Sequence, residues 1–470
     1  MAAALILSSL APLPPAFALT DEEIYSALRL PVVLPGARTA AMGRAGLALV
    51  DDPAALRINP ARLAALGHRQ GAFELRRDEA GDQSGRSSFV ASDPGGGNPF
   101  AGARAASSSR EDAGYRPLFL GYAHPLELLG RPLVAAVGRT EALDAALTAR
   151  TTSTVVPISA PVAPDSGAEV TLVSEGSLQA RVALWEAGAG WRITPSFAAG
   201  AALSFGTLDL NASTTGSLSD PLQLTGPGMV DPRFGAPVPS PLRSTRTSGS
   251  DTDLAVSFGA WWKPASALSV ATVFRQGARF DLEGRSRDQV PGGSTPFSTR
   301  LELPDTAAVG LAWTPLRGHP SAALQSLTLV LDVERVSRGG LASGVREGVN
   351  VLTSPMAVRT VTYESEDVTE ARLGVEVRRS LPSWTLAVRG GLYTERVSAV
   401  RAVRIAGDVP PLEGHAEALS EAGFFEDEDD ELHATLGAGF AFYALTLDLG
   451  ADLSGEGSRF TASASYRFGR

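Results

Sequence analysis

Along much of the chain, apolar and polar residues alternate with a period of two. In "LTLDLGADLS", Leu445, Leu447, Leu449, Ala451 and Leu453 share one face, and Thr446, Asp448, Gly450, Asp452 and Ser454 share the other. "RFTASASYRF" sets Phe460, Ala462, Ala464, Tyr466 and Phe468 against Thr461, Ser463, Ser465 and Arg467, and "ARLGVEVRR" sets Leu373, Val375 and Val377 against Arg372, Gly374, Glu376 and Arg378. Such alternation predicts β-strands. The predicted strands are 70–77, 116–124, 131–140, 177–191, 196–210, 251–263, 267–283, 299–314, 325–338, 368–379, 384–396, 431–442, 444–454 and 459–468. That is an even number, fourteen, as in single-chain bacterial barrels.

A soluble sandwich also alternates, so the choice between sandwich and barrel rests on three other features. The strands often exceed the five or six residues usual in sandwiches, and a tilted membrane strand needs about 9–11. Aromatic residues gather beside short Pro-containing turns: Tyr122 near Pro125, Trp191 near Pro195, Trp261 and Trp262 before Pro264, Trp313 before Pro315, and Trp384 after Pro382. This predicts an interfacial girdle at one rim. The segments 78–115, 141–176, 211–250, 284–298, 339–367 and 397–430 read as long polar loops at the opposite end. The expected fold class is all-β, a transmembrane antiparallel β-barrel of about fourteen strands. No run of 18 apolar residues follows the leader, so no transmembrane helix is expected.

The N-terminus reads as an export signal over residues 1–18: an apolar core from Met1 to Leu10, then Ala16-Phe17-Ala18 as a small-x-small cleavage pattern. It contains no Lys or Arg, the one feature of such a signal that it lacks. With no cysteine, disulfides and thiolate metal sites are excluded. The five histidines, His68, His124, His319, His415 and His433, show no metal-ligand spacing. A net charge of −10 argues against nucleic acid as a partner. Positive charge is almost entirely arginine, Lys263 being the single lysine. No cofactor is implied.

Strand phase sorts the charges. Asp332, Glu334, Arg372, Glu376, Arg378, Arg389, Asp448, Asp452 and Arg467 fall opposite the apolar stripe, hence in the lumen, because an arginine facing mid-bilayer lipid costs about 2–4 kcal/mol. The acidic run "EDEDDELH" (426–433) reads as a solvated loop. His433 points inward near the outer rim, but the chain carries no Gly-x-Ser-x-Gly elbow and no His-Glu-x-x-His motif. A barrel-embedded hydrolase is therefore the weakest of three functional readings, and no catalytic residue is assigned.

Residues 19–69 precede the first strand and are small, Gly/Ala-rich and non-β, so the expected organisation is a plug over 19–69 and a barrel over 70–470. A wide barrel has room for such a plug. "GRAGLALVDDPAALRINPARLAAL" carries Gly43 and Gly46, then Asp51-Asp52, then the Asn59-Pro60-Ala61 turn. In these residues the chain resembles the N-terminal hatch of the long-chain fatty acid outer-membrane transporters, the FadL-like family. "FGAWWKPASALSVATVFRQGARFDL" (258–282) and "LPDTAAVGLAWTP" (303–315) resemble that family's hairpins. The resemblance implies passive uptake of long-chain fatty acids or other hydrophobic small molecules through a hatch-plugged barrel in the outer membrane. It also implies contact with outer-membrane lipid and lipopolysaccharide, and insertion by the barrel-assembly machinery, which reads a terminal aromatic such as Tyr466 or Phe468. Arg44, Arg57 and Arg62 in the hatch, and Arg372, Arg378 and Arg389 on the wall, are candidate partners for a ligand headgroup. Pro132 and Gly277 are candidate kinks for a lateral gate. Gly36-Ala37-Arg38 and Met42-Gly43 also resemble the start of the PorV-like barrels of type IX secretion, which makes a protein secretion or attachment component the alternative.

Overall fold

The computed structural model describes residues 34–78, 82–89, 100–111, 114–157, 170–218, 243–290, 293–317, 325–337, 342–351, 354–364, 367–396, 401–407, 430–455 and 457–469. The expected leader, residues 19–33 of the expected plug and residues 426–429 of the acidic run lie outside them.

Among the described residues, twenty-one strands follow one another: β1 (Arg69–Asp78), β2 (Asp82–Phe89), β3 (Phe100–Glu111), β4 (Gly114–Leu128), β5 (Arg131–Pro157), β6 (Val170–Thr194), β7 (Phe197–Leu218), β8 (Arg243–Ala265), β9 (Leu268–Arg275), β10 (Arg279–Val290), β11 (Gly293–Glu302), β12 (Asp305–Arg317), β13 (Ser326–Ser337), β14 (Ala342–Val351), β15 (Ser354–Glu364), β16 (Val368–Ser380), β17 (Thr385–Arg396), β18 (Arg401–Gly407), β19 (Asp430–Phe442), β20 (Leu445–Leu453) and β21 (Ser458–Phe468). Fourteen of them form a closed antiparallel wall, in the order β1, β4, β5, β6, β7, β8, β9, β12, β13, β16, β17, β19, β20, β21. The ring closes where β21 returns to β1, with Arg69 opposite Phe468 and Asp78 opposite Arg459. Closure leaves no strand edge, the condition for a β-structure to sit in hydrocarbon.

Leu120, Val137, Trp185, Leu254, Val309 and Leu436 stand exposed on the outer face, whereas Asp332, Glu334, Arg372, Glu376 and Arg389 are buried on the inner one. Apolar side chains exposed outward around a polar, filled lumen define a membrane-spanning barrel. One girdle expectation is corrected: Trp262 is exposed outside, but Trp261 is buried inside. Consecutive strand residues face opposite sides, so a Trp pair gives only one ring to the girdle.

The expected long loops also need correction, because their described residues are almost all in strands. β5, β6, β7 and β8 run 27, 25, 22 and 23 residues, well beyond the bilayer requirement. The hairpins β2–β3 and β14–β15 prolong the wall further. Beyond the membrane the outer face is free to be polar, so apolar alternation fades while pairing continues, and stretches such as "TARTTSTVVP" lose the strand signal. Conversely, two expected strands are each broken in two. Residues 267–283 are interrupted at Gln276–Ala278, and residues 299–314 at Leu303–Pro304.

Inside the barrel lies the N-terminal segment: helix α1 (Ala37–Ala40), helix α2 (Ala55–Ile58) and a 3-10 turn (Pro60–Ala65). Its apolar residues Met42, Leu47, Leu56, Ile58 and Leu63 join the inward side chains Phe119, Val134, Trp261 and Val330 in one buried cluster.

Candidate functional site

The N-terminal segment is held to the wall by backbone contacts that small residues permit. Asn59 accepts the Ala61 N–H through Oδ1 (3.1 Å) as the cap of the 3-10 turn, with Pro60 in the first position. Its amide group donates to the carbonyls of Leu47 (3.4 Å) and Ala260 (3.3 Å). The wall faces this turn with glycines: a Cβ on Gly259 would lie 2.0 Å from Asn59 Oδ1, and one on Gly200 would lie 2.4 Å from Ala61 N. At the other end of the segment Gly43 adopts a positive φ of 63° and packs against the carbonyls of Leu373 and Leu392, and its N–H donates to Thr435 Oγ1 (2.7 Å). Between these ends, Asp332 of β13 accepts the N–H groups of Gly46 (2.7 Å) and Leu47 (2.9 Å). Gly36 N–H donates to Glu74 of β1 (2.5 Å).

The six candidate headgroup arginines already have partners. Arg44 lies 3.4 Å from both Asp452 and Glu395 and stacks over the Tyr393 ring at 4.5 Å. Arg57 faces Glu186 at 3.6 Å. Arg62 donates to the carbonyls of Val50 and Leu49 and lies over Trp261. Arg372 pairs with Glu334 and Glu370, Arg378 with Glu376, and Arg389 with both Glu376 and Asp448. Glu376 also takes Arg38 of the N-terminal segment at 2.9 Å, so one wall carboxylate gathers three guanidinium groups.

Asp51 and Asp52 behave differently although adjacent. Asp51 pairs with Arg38 at 2.7 Å; this and nearby Arg378 hold its carboxyl below the usual range, although desolvation inside the barrel opposes them. Desolvation, reinforced by Asp51 next door, pushes Asp52 up to about 7, although its Oδ1 caps the Ala54 N–H. Burial likewise pulls Arg62 down to about 10.

An apolar surface lies on the inner face of β6 and β7, next to Glu186. Val182, Leu184 and Leu208 are buried there, as are Phe280 and Leu282 of β10. A Cβ on Gly206 would touch Phe280, Ala278 and Leu184, so β10 crosses over the inner face of β7. This follows from the break at Gly277, where a Cβ would sit 1.8 Å from the Leu303 carbonyl. Beyond it the β8–β10 ladder resumes only at Arg287 opposite Arg246; in between, Asp253 and Asp251 accept the N–H groups of Arg279 and Asp281, each at 2.7 Å. Pro132, by contrast, sits in the regular β4–β5 ladder opposite Glu127. A second break was not anticipated. The β4–β5 ladder ends at Phe119 opposite Thr140, the β5–β6 register shifts between Glu141 and Leu143, and β5 next pairs with β3 at Leu147. No Gly or Pro marks that stretch, so no local signal announced it.

His433 is buried against Tyr393, with ring centroids 4.3 Å apart, and its Nδ1 lies 2.9 Å from Asp452. Its Nε2 faces Glu395 at 3.4 Å and Glu431 at 3.5 Å, and the Tyr393 hydroxyl donates to Asp452. The cluster sits over Arg44 and ties the N-terminal segment to the wall.

No protein-family model and no curated protein matches the chain. Among solved structures it is similar to a Pseudomonas aeruginosa FadL homologue, with TM-score 0.59 and 14% identity over 94% of this chain and 100% of that one. It is also similar to the Ralstonia pickettii toluene transporter TbuX, with TM-score 0.56 and 14% identity over the same shares. The CymD monoaromatic hydrocarbon channel matches at TM-score 0.51 and 13% identity, over 94% of this chain and 100% of that chain. The chain therefore has the fold of the FadL-like barrels.

Proposed function

We infer that the protein takes up hydrophobic small molecules, long-chain fatty acids or other apolar solutes, across the outer membrane, with the N-terminal segment as its hatch. What supports this reading is the set of apolar side chains buried on the inner face of a membrane-spanning barrel, with the N-terminal segment packed against that wall. An apolar solute gains by leaving water for such a surface. It can move on where the wall ladder is interrupted, at Thr140–Leu147 or beside Gly277, or past the hatch if its polar ties yield. The names of two similar folds, a toluene transporter and a monoaromatic hydrocarbon channel, support the same class of cargo. The test is mass spectrometry of lipids extracted from barrel purified out of outer membrane in mild detergent. Enrichment of one apolar compound over bulk lipid, lost on deletion of Asn59-Pro60-Ala61, supports uptake. A bulk-lipid profile with a co-purifying protein points instead to a secretion component.

A further inference from the structure

Resting on that reading, we propose that the lumen admits uncharged apolar molecules and rejects carboxylates, and that Glu186 sets this selectivity by occupying Arg57. A fatty acid at neutral pH brings an ionised headgroup, which must find a cation when it leaves water. The only lysine, Lys263, is at a short turn, bonded through its backbone to Ser196, so inside the barrel the cation would have to be arginine. Arg57 stands beside the apolar surface and is the natural receiver. It faces Glu186, two residues from Leu184 on the same side of β6.

Glu186 is itself fixed. Its Oε2 accepts the Thr140 hydroxyl (2.8 Å) and its Oε1 the Ser204 hydroxyl (3.2 Å), one from each flanking strand, so it cannot swing away to release Arg57. An incoming carboxylate therefore finds Arg57 already paired with a fixed carboxylate, whereas a hydrocarbon asks nothing of Arg57 and needs only apolar neighbours such as Leu184. Changing Glu186 to glutamine keeps the acceptor for one hydroxyl and the side-chain shape, but removes the charge that holds Arg57.

The test incubates the full-length barrel in mild detergent with equimolar hexylbenzene and palmitate at mildly alkaline pH. Bound compound is extracted after gel filtration and quantified against a detergent blank. The wild type is expected to retain hexylbenzene over palmitate by about tenfold or more. Glu186→Gln is expected to shift that ratio towards palmitate by about tenfold, and the double variant Glu186→Gln/Arg57→Gln to shift it back. Folding of each variant is checked by its heat-modifiable gel mobility. Equal or preferential retention of palmitate by the wild type overturns the selectivity while leaving hydrophobic uptake standing. Retention of neither compound overturns the uptake reading and this inference with it. An unchanged ratio in a folded Glu186→Gln variant removes Glu186 from the role.

Discussion

Asp332 of the wall accepts the backbone N–H of Gly46 at 2.7 Å, and with the same oxygen that of Leu47 at 2.9 Å. One side chain thus satisfies two buried donors of a segment that has little regular structure of its own. Replacing it with alanine leaves both N–H groups unpaired, at about 1–3 kcal/mol each. Asp332→Ala should release the segment 34–66 while leaving the wall ladder intact. The expected readout is faster hydrogen exchange and proteolysis within 34–66, with the barrel itself remaining resistant to detergent. Unchanged protection would mean that Asp332 does not hold the segment.

Asp52 makes the seating of that segment depend on pH. Its carboxyl titrates at about 7 when seated, against an ordinary 3.8 when released. Below about 4 both states hold the proton, and Asp52 contributes no pH dependence. Between about 4 and 7 the seated form keeps a proton that the released form has lost, so rising pH progressively disfavours seating, and above about 7 the full penalty is present. Hydrogen exchange of residues 50–58, corrected for intrinsic rates, should therefore show falling protection from pH 4 to 7 in the wild type. Asp52→Asn should flatten that dependence.

The wall was legible in the sequence and the lumen only partly so. Alternation such as Leu445–Leu453 located every wall strand, because a lipid-facing residue must be apolar and its neighbour must not. The same rule placed Asp332, Glu376, Arg389 and Asp452 inside. It stops at the membrane surface, which is why Thr148–Pro157 read as loop although paired with β3. Partnerships were beyond it. Arg57 and Glu186 are 129 positions apart, and only the folded barrel brings them together. The crossing of β10 over β7 was equally hidden. Gly277 marked a kink, but nothing nearby told which way the chain would turn.

Phe280 is fully buried where β10 crosses, against Gly206 and Leu184. Truncation to alanine should cost about 3–5 kcal/mol if the site cannot collapse. The loss falls locally on the β10–β11 hairpin, whose ladder to β8 is interrupted there. Phe280→Ala should make residues 279–302 the first segment cut in limited proteolysis, and Phe280→Leu should restore most of the protection. If the alanine variant resists cleavage as the wild type does, the hairpin is not held by this contact.

Asn59 separates capping from simple size. Its oxygen caps the Ala61 N–H, and its amide nitrogen supplies the carbonyls of Leu47 and Ala260, so donor and acceptor are both used in full burial. Asn59→Ala loses the cap, worth about 1 kcal/mol, and leaves buried polar groups unpaired. Asn59→Asp keeps a capping oxygen but turns the other end into an acceptor facing two carbonyls, and brings a charge into an interior lined by Pro60, Gly259 and Trp261. Asp is among the best capping residues in water, so a cap-only role predicts that Asn59→Asp is mild and Asn59→Ala severe. The two-sided role predicts the reverse order, with Asn59→Asp releasing the segment more completely. Protease protection of residues 55–66 in the two variants decides between them. Equal protection in both would show that the turn is held by the close fit of Gly200 and Gly259 rather than by the asparagine.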